Sequence, residues 1–171
     1  MNKTITVLRH GEAEPFNGSD VNRQLTEKGL QGSRSAAKAL AEFLSADQSL
    51  DVIFHSPFKR TAQTAFALLQ DFSCSANRLE VPCLPSDFLL ENAAPKLLTN
   101  WLDNLDMNHI ALVSHQPLVS RLVAWLVDGV SADSQDNNEH CFYPASMMVI
   151  EADFIARGCG SISLTHHFNH A

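Results

Sequence analysis

The sequence predicts an α/β chain: a three-layer sandwich in which a mostly parallel central sheet is flanked by helices on both faces. Short apolar, β-branched runs alternate with segments of helical period, the pattern of strand–helix–strand crossover units. Several of the runs end abruptly in polar residues that read as helix starts. A length of 171 residues favours a single domain, 1–171, with one core.

Residues 5–10 are apolar and β-branched up to Arg9 and are read as a buried first strand. Residues 11–24 hold Gly, Pro, Asn, Ser and Asp and read as a loop. Thr26 has the chemistry of a helix N-cap, with Glu27 favourable in the first turn. Leu30, Ala37, Leu40, Ala41 and Leu44 then fit one helical face. Residues 52–55 form a second strand closed by Ser56-Pro57, and 58–71 a helix with Ala62, Ala65, Phe66 and Leu69 on one side. A short third strand is expected at 79–83. Pro95 opens a helix through about residue 105, since Pro suits the first turn. Residues 109–115 are a further buried strand, and Pro117 starts a helix to 127. The segment 129–139 is polar, and 147–152 and 161–167 read as the last two strands.

Composition narrows the function. The chain is 45% hydrophobic and 18% charged, ordinary for a globular protein. A formal net charge of −7 gives no general attraction to nucleic acid or to an anionic membrane, so neither is expected as a partner. Positive charge for a phosphate ligand would have to be gathered locally. No apolar stretch approaches the roughly 18 residues of a spanning helix, and the short run after Lys3 is broken at Arg9, unlike a signal peptide. The default location is the cytoplasm. Cys74, Cys83, Cys141 and Cys159 lack paired spacing and are read as reduced thiols, mostly packing residues.

Three segments place polar groups directly after a strand: Leu8-Arg9-His10-Gly11-Glu12, His55-Ser56-Pro57-Phe58-Lys59-Arg60-Thr61 and Val113-Ser114-His115-Gln116-Pro117. In a parallel α/β sheet ligands bind beyond the carboxyl ends of the strands, so the three should meet at one crevice. There they would gather Arg9, Arg60, His10 and His115. A guanidinium fork gives paired charge-assisted hydrogen bonds to phosphate oxygens. Helix N-termini add N–H groups and a favourable dipole. An imidazole nitrogen can attack phosphorus and split the reaction into two displacements. Gly11 is expected beside His10 because a Cβ there would crowd the phosphate.

Arg9-His10-Gly11-Glu12 at the end of a first strand resembles the signature of the histidine phosphatase superfamily, with its phosphoglycerate-mutase-like fold. Residues 56–64, SPFKRTAQT, resemble that family's second block, and Ser114-His115 resembles its third. The short chain, the VNRQLTEKG run at 21–29 and the SHQPLV run at 114–119 are similar to the SixA-type phosphohistidine phosphatases. The resemblance implies His10 as nucleophile, Arg9 and Arg60 as phosphate clamp and His115 as a second site histidine. It implies Arg23 near the pocket mouth and, in the poorly matched segment 87–92, Glu91 as candidate general acid. It implies no cofactor and no metal, a phosphohistidine-bearing signalling protein (a histidine-phosphotransfer domain) as substrate, and inorganic phosphate as product.

Plainer readings stand beside these. Alone, His10 or His115 would be a hydrogen-bonded core histidine and Arg60 a salt-bridged one; the three blocks together carry the site. Arg23 reads equally as a solvated loop residue, and Glu91 as solvent-facing. His55 is read as packing and Glu12 as a local cap or pair. His166, His167 and His170 form H-H-x-x-H, but neighbours on a strand point to opposite faces, so a solvated chain end is preferred over a metal site. Two rival functions remain at this point: a small-molecule phosphatase or mutase of the same superfamily, and a non-catalytic phosphate-binding module.

Overall fold

The protein is described from a computed structural model, which covers residues 3–44, 49–76 (backbone only at 71–76), 81–130 and 140–168. In chain order the elements are β1 (Lys3–Arg9), α1 (Glu27–Phe43), β2 (Val52–His55), α2 (Lys59–Ala76), β3 (Cys83–Pro85), a 3₁₀ turn (Asp87–Leu89), α3 (Pro95–Asp103), β4 (His109–Ser114), α4 (Leu118–Val127), β5 (Met147–Ala152) and β6 (Gly160–His166). Among the described residues the six strands form one sheet in the order β3-β2-β4-β1-β5-β6. The pairs β1–β4, β2–β4 and β2–β3 are parallel; β1–β5 and β5–β6 are antiparallel.

The strand period of two sorts the core into two layers. Ile5 and Val7, Val52 and Phe54, Ile110 and Leu112, and Met148 and Ile150 face α3 and α4, where Leu98, Leu102, Leu118, Leu122 and Leu126 meet them. Leu8, Ile53, Ala111, Val113, Met147 and Val149 face the other way, against Ala36 and Leu40 of α1 and Ala65 and Leu68 of α2. Burial on both faces is why these strands read as continuous apolar runs rather than as an alternation.

Register decides where the polar strand ends fall. Arg9 pairs with Ser114, and His55 with Val113, so β1, β2 and β4 finish level with one another. His10 N–H then donates to the Ser114 carbonyl at 3.0 Å, and Ser56 N–H to the Val113 carbonyl at 3.1 Å. The three motif segments therefore emerge along one edge of the sheet.

Several local expectations are corrected. The buried stripe of α1 runs through small residues, Gly29, Gly32, Ser33, Ala36 and Ala37, before Leu40; Leu30 and Ala41 are only half-buried. Small side chains let α1 lie close to the sheet and to α2. Phe66 is 54% exposed, because α2 turns Thr61, Thr64, Ala65 and Leu68 inward. The third strand is Cys83–Pro85, displaced from the expected 79–83, of which 79 and 80 lie outside the described residues. The 3₁₀ turn was not foreseen. Cys141 and Cys159 are exposed rather than packed, while Cys83 is half-buried. Most of the polar segment 129–139, and His170, lie outside the described residues. His166 and His167 go to different partners, Ser35 Oγ at 3.2 Å and Ser146 Oγ at 2.8 Å. Among the described residues no helix is long and apolar enough to cross a membrane.

Candidate active site

His10 follows the last residue of β1, and its ring state is set by two bonds. Its Nδ1 lies 2.7 Å from the Gly11 carbonyl oxygen, which can only accept, so Nδ1 carries the hydrogen. On the far side Arg60 Nε donates to His10 Nε2 at 3.2 Å, which requires a lone pair there. Both observations give the same tautomer: Nδ1–H and a basic Nε2. Burial lowers the His10 pKa to about 3, assisted by the nearby His115, Arg60 and Arg9 and opposed by the Gly11 bond, so the ring is neutral at pH 7.

Gly11 lets the backbone fold tightly here, and its close neighbour is the Gly29 backbone. A Cβ on Gly11 would come to 2.3 Å from the Gly29 carbonyl oxygen, and a Cβ on Gly29 to 2.0 Å from the Glu12 carbonyl oxygen. The two glycines let the first turn of α1 press against the segment after β1, so that a Cβ on either would crowd backbone. Gly11 N–H donates to Thr64 Oγ1 at 3.1 Å, tying the same segment to α2. Thr26 caps α1 by accepting from Gly29 N–H at 3.0 Å and donates to Glu12 Oε1 at 3.0 Å, so Glu12 pairs locally as read from sequence.

Arg60, in the first turn of α2, is 4% exposed. Its guanidinium stacks over Phe58, 4.8 Å from the ring centroid. Besides His10 it reaches Asp20: Nη1 donates to the Asp20 carbonyl at 2.7 Å and Nη2 to Oδ2 at 3.0 Å. Arg23 Nη1 holds the other oxygen, Oδ1, at 2.9 Å, and Arg23 Nε donates to the Glu14 carbonyl at 2.7 Å. Asp20 is kept below the ordinary carboxylate pKa by the Arg23 hydrogen bond first, against the opposing effect of burial, with Arg60 adding to the lowering.

His115 follows the end of β4 and is 2% exposed. Its ring lies edge-on to that of His10, with centroids 5.2 Å apart, and edge-on to Phe58 at 4.9 Å. Its Nε2 meets Ser56 Oγ at 2.6 Å, while Nδ1 is buried with no hydrogen-bond partner. Ser56 Oγ accepts weakly from Phe58 N–H at 3.4 Å and has one proton to give. Given to His115 Nε2, that proton leaves Nδ1–H as an unused donor. Burial, then Arg60, lowers the His115 pKa to about 4 despite the opposing pull of Asp20. Arg9 donates from Nη1 to the Phe142 carbonyl at 2.7 Å, and its Nε is likewise buried without a partner. Burial lowers the Arg9 pKa, yet a guanidinium stays charged at neutral pH. Buried donors without acceptors are costly, and two of them around a basic imidazole nitrogen suit an oxyanion.

The structure thus gathers Arg9, His10, Arg60 and His115, joins Arg23 to them through Asp20, and leaves Glu91 out. Glu91 is exposed in the turn after the 3₁₀ segment and bonds to none of them. His55 is buried with its Nδ1 on the Ser56 carbonyl at 2.7 Å, a packing role as read. Sequence reasoning missed Asp20, Ser56, Phe58 and Gly29. The signal for Asp20 comes only with the burial of Arg60: a buried arginine beside a neutral histidine demands an anionic acceptor nearby.

Comparison with known proteins decides the family. A model of the histidine phosphatase superfamily (branch 1) matches residues 5–80. The phosphohistidine phosphatase SixA homolog of Haemophilus influenzae is 30% identical over 149 residues, covering 84% of each chain. The chain belongs to the histidine phosphatase superfamily. It is accordingly a phosphatase, and its α/β sheet is the phosphoglycerate-mutase-like fold. The structure of the protein histidine phosphatase SixA complexed with tungstate superposes with a TM-score of 0.73 at 24% identity, covering 95% of both chains. A SixA phosphohistidine phosphatase candidate from Nakamurella multipartitia gives 0.76 at 20% identity, covering 98% of this chain and 96% of its own.

Proposed function

We propose that this superfamily member is a phosphohistidine phosphatase that works through a phospho-His10 intermediate. The observation that carries the reading is the tautomer of His10: Nδ1–H on the Gly11 carbonyl leaves Nε2 as the nucleophile, and burial keeps the ring neutral. Nε2 attacks phosphorus, the bond to the leaving group breaks and its electron pair departs with that group. The new imidazolium keeps its Nδ1–H on Gly11. Arg9, Arg60 and His115 Nδ1–H stabilise the equatorial oxygens, each such donor being worth about 10²–10³ in rate. Water then attacks phospho-His10 and releases inorganic phosphate. No cofactor enters either step.

Leaving-group chemistry supports phosphohistidine as substrate. An alkoxide needs a positioned acid, worth about 10²–10⁴-fold. Glu91, the expected acid, is exposed and away from the site, and Asp20 is ionised. A phosphohistidine ring protonated on its other nitrogen, by water or a neighbour, departs as neutral imidazole without such help, and transfer from one imidazole to another exchanges one P–N bond for another. The names of the relatives point the same way, and a histidine-phosphotransfer domain is the natural form of such a substrate.

The test compares phosphate release from a phosphohistidine-bearing phosphotransfer domain with release from sugar phosphates. The expected result is strong preference for the former, with a transient label on His10 that is lost in acid and kept in alkali, as for a phosphoramidate. A preference for a sugar phosphate would reject this reading in favour of a small-molecule phosphatase.

A further inference from the structure

All three Arg60 nitrogens are engaged before any substrate arrives, three of the five N–H donors in all. Nε serves the nucleophile, Nη1 the Asp20 carbonyl and Nη2 the Asp20 carboxylate. A carboxylate on an arginine fork presents acceptors much as a phosphoryl group does. A phosphoryl group that takes Arg60 Nε and Nη2 beside His10 therefore competes with Asp20 Oδ2 at Nη2.

Asp20 is arranged to yield. Its two carboxylate oxygens are held by different arginines, Oδ2 by Arg60 at 3.0 Å and Oδ1 by Arg23 at 2.9 Å. Its backbone is fixed separately, by its own carbonyl on Arg60 Nη1 and by the Val21 carbonyl, which accepts from Lys59 N–H at 2.9 Å. Oδ2 can leave Arg60 by a side-chain rotation while the loop stays in place and Arg23 retains the other oxygen. Arg60 turns Nε toward His10 and its Nη edge toward Asp20, so Asp20 lies at the end remote from the nucleophile. In an in-line displacement the leaving group departs on the side away from the nucleophile. The Asp20 side chain is 43% exposed, at the mouth, where a leaving group would emerge.

We infer that Asp20 is a specificity-determining residue: it occupies the Arg60 fork in the resting site, cedes it to the incoming phosphoryl group, and then accepts the N–H of a leaving imidazole. The inference rests on the phosphohistidine reading and extends it. The step balances without an added reagent. The substrate P–N bond breaks and its electron pair returns to the imidazole nitrogen as the bond from His10 Nε2 to phosphorus forms. The substrate ring reacts protonated on its other nitrogen and so leaves as neutral imidazole; that hydrogen stays there, bonded to Asp20. An ionised carboxylate at that place has no proton for an alkoxide and repels an anionic leaving group, so it selects against phosphate esters.

Asp20→Asn and Asp20→Ala would be compared with the parent in two assays: inhibition by inorganic phosphate, and kcat/KM on a phosphohistidine domain against glycerol phosphate. Loss of the competing carboxylate should tighten phosphate inhibition about 3- to 10-fold, the worth of a partly exposed charge pair. The preference for phosphohistidine should fall by about 10-fold, a single hydrogen bond to a charged acceptor. Weaker phosphate inhibition in both variants would overturn the inference and make Asp20 a positioner of Arg60. Tighter inhibition with an unchanged preference would overturn the specificity role. A parent that does not act on phosphohistidine would sink the functional reading itself, a result visible before either variant is made.

Discussion

Arg9, His10 and His115 stand where strands β1 and β4 end, with Arg60 in the first turn of the helix that follows β2; Asp20, Arg23 and Glu91 stand on connecting segments. The first group forms the floor of the site. It is positioned by strand register, Arg9 opposite Ser114, and by a core buried on both faces of the sheet. The second group lies on the loops around the site, which are held by scattered side-chain and backbone bonds rather than by sheet register, such as Arg23 on Asp20 and on the Glu14 carbonyl and Lys59 N–H on the Val21 carbonyl. A floor built this way is pre-organised for charge that develops in the transition state. The mouth can exchange partners without disturbing the sheet. On the function proposed above, the contrast separates rate, assigned to the floor, from choice of leaving group, assigned to the mouth.

The floor is where the largest losses are expected. His10→Ala should abolish turnover, a fall on the order of 10⁴-fold or more for a lost nucleophile, with an unchanged circular dichroism spectrum. Retained turnover in the folded variant would remove His10 from the chemistry. Arg60→Ala or Arg9→Ala should each cost about 10²-fold or more in kcat/KM. A variant of either that behaves like the parent would show that arginine to be away from the phosphate.

Gly11→Ala tests whether the floor depends on the close approach of α1. The added Cβ would meet the Gly29 carbonyl oxygen at 2.3 Å, so backbone must shift. Overpacking of this kind costs about 1–3 kcal/mol, enough to lower the thermal midpoint by several degrees. Activity should fall as well, because the Gly11 carbonyl that fixes the His10 tautomer moves with it. Reduced activity at unchanged thermal stability would instead favour the original expectation, a Cβ crowding the phosphate.

The pH response distinguishes the two regions more gently. His10 and His115, with pKa values near 3 and 4, stay neutral far below the ordinary histidine value of 6.5. Their ionisation should therefore leave kcat/KM flat from pH 7 to about 5. Stability behaves differently. The unfolded chain binds protons on these rings as pH falls below 6.5, whereas the folded chain resists until the depressed values are reached. Stability is thus full above 6.5 and lost progressively down to about pH 3 to 4. Denaturant midpoints measured alongside kcat/KM should show unfolding limiting the enzyme in acid; an activity pKa near 6.5 in a protein of constant stability would contradict it.

The same division governs what could be read from sequence. Strand ends followed at once by Arg, His and Gly are local patterns, and parallel register brings them together without further information, so the floor was legible. Asp20 pairs with Arg60 forty positions away. Nothing in the surrounding polar loop distinguishes it from a solvated aspartate until the guanidinium is known to be buried. Gly11 was singled out for a tight backbone, but its contact with Gly29 was not legible, because it exists only once α1 has docked. Phe66 was assigned inward because helical period alone does not say which side of α2 meets both the sheet and α1.

The smallest effect expected is at Glu91, and it probes the mouth from the side where relatives acting on esters would need an acid. Glu91 follows the apolar Phe88-Leu89-Leu90, of which Leu89 is fully buried, and Phe88 stacks on Trp101 with centroids 5.0 Å apart. These contacts, together with the bond from Ser114 Oγ to the Leu89 carbonyl at 2.7 Å, anchor the turn against β4 but leave Glu91 itself in solvent. Glu91→Gln should therefore change kcat/KM on phosphohistidine by less than about 2-fold, as surface substitutions usually do. A true general acid would cost about 10²–10⁴-fold on an alkyl phosphate, where the leaving oxygen needs a proton. Measuring both substrates in both proteins separates the cases. A small loss on phosphohistidine with a large loss on the ester would mean that the turn brings Glu91 to the substrate on binding, giving the mouth an acid after all. Small losses on both would leave Asp20 as the carboxylate nearest the leaving group, and leaving-group choice would rest there.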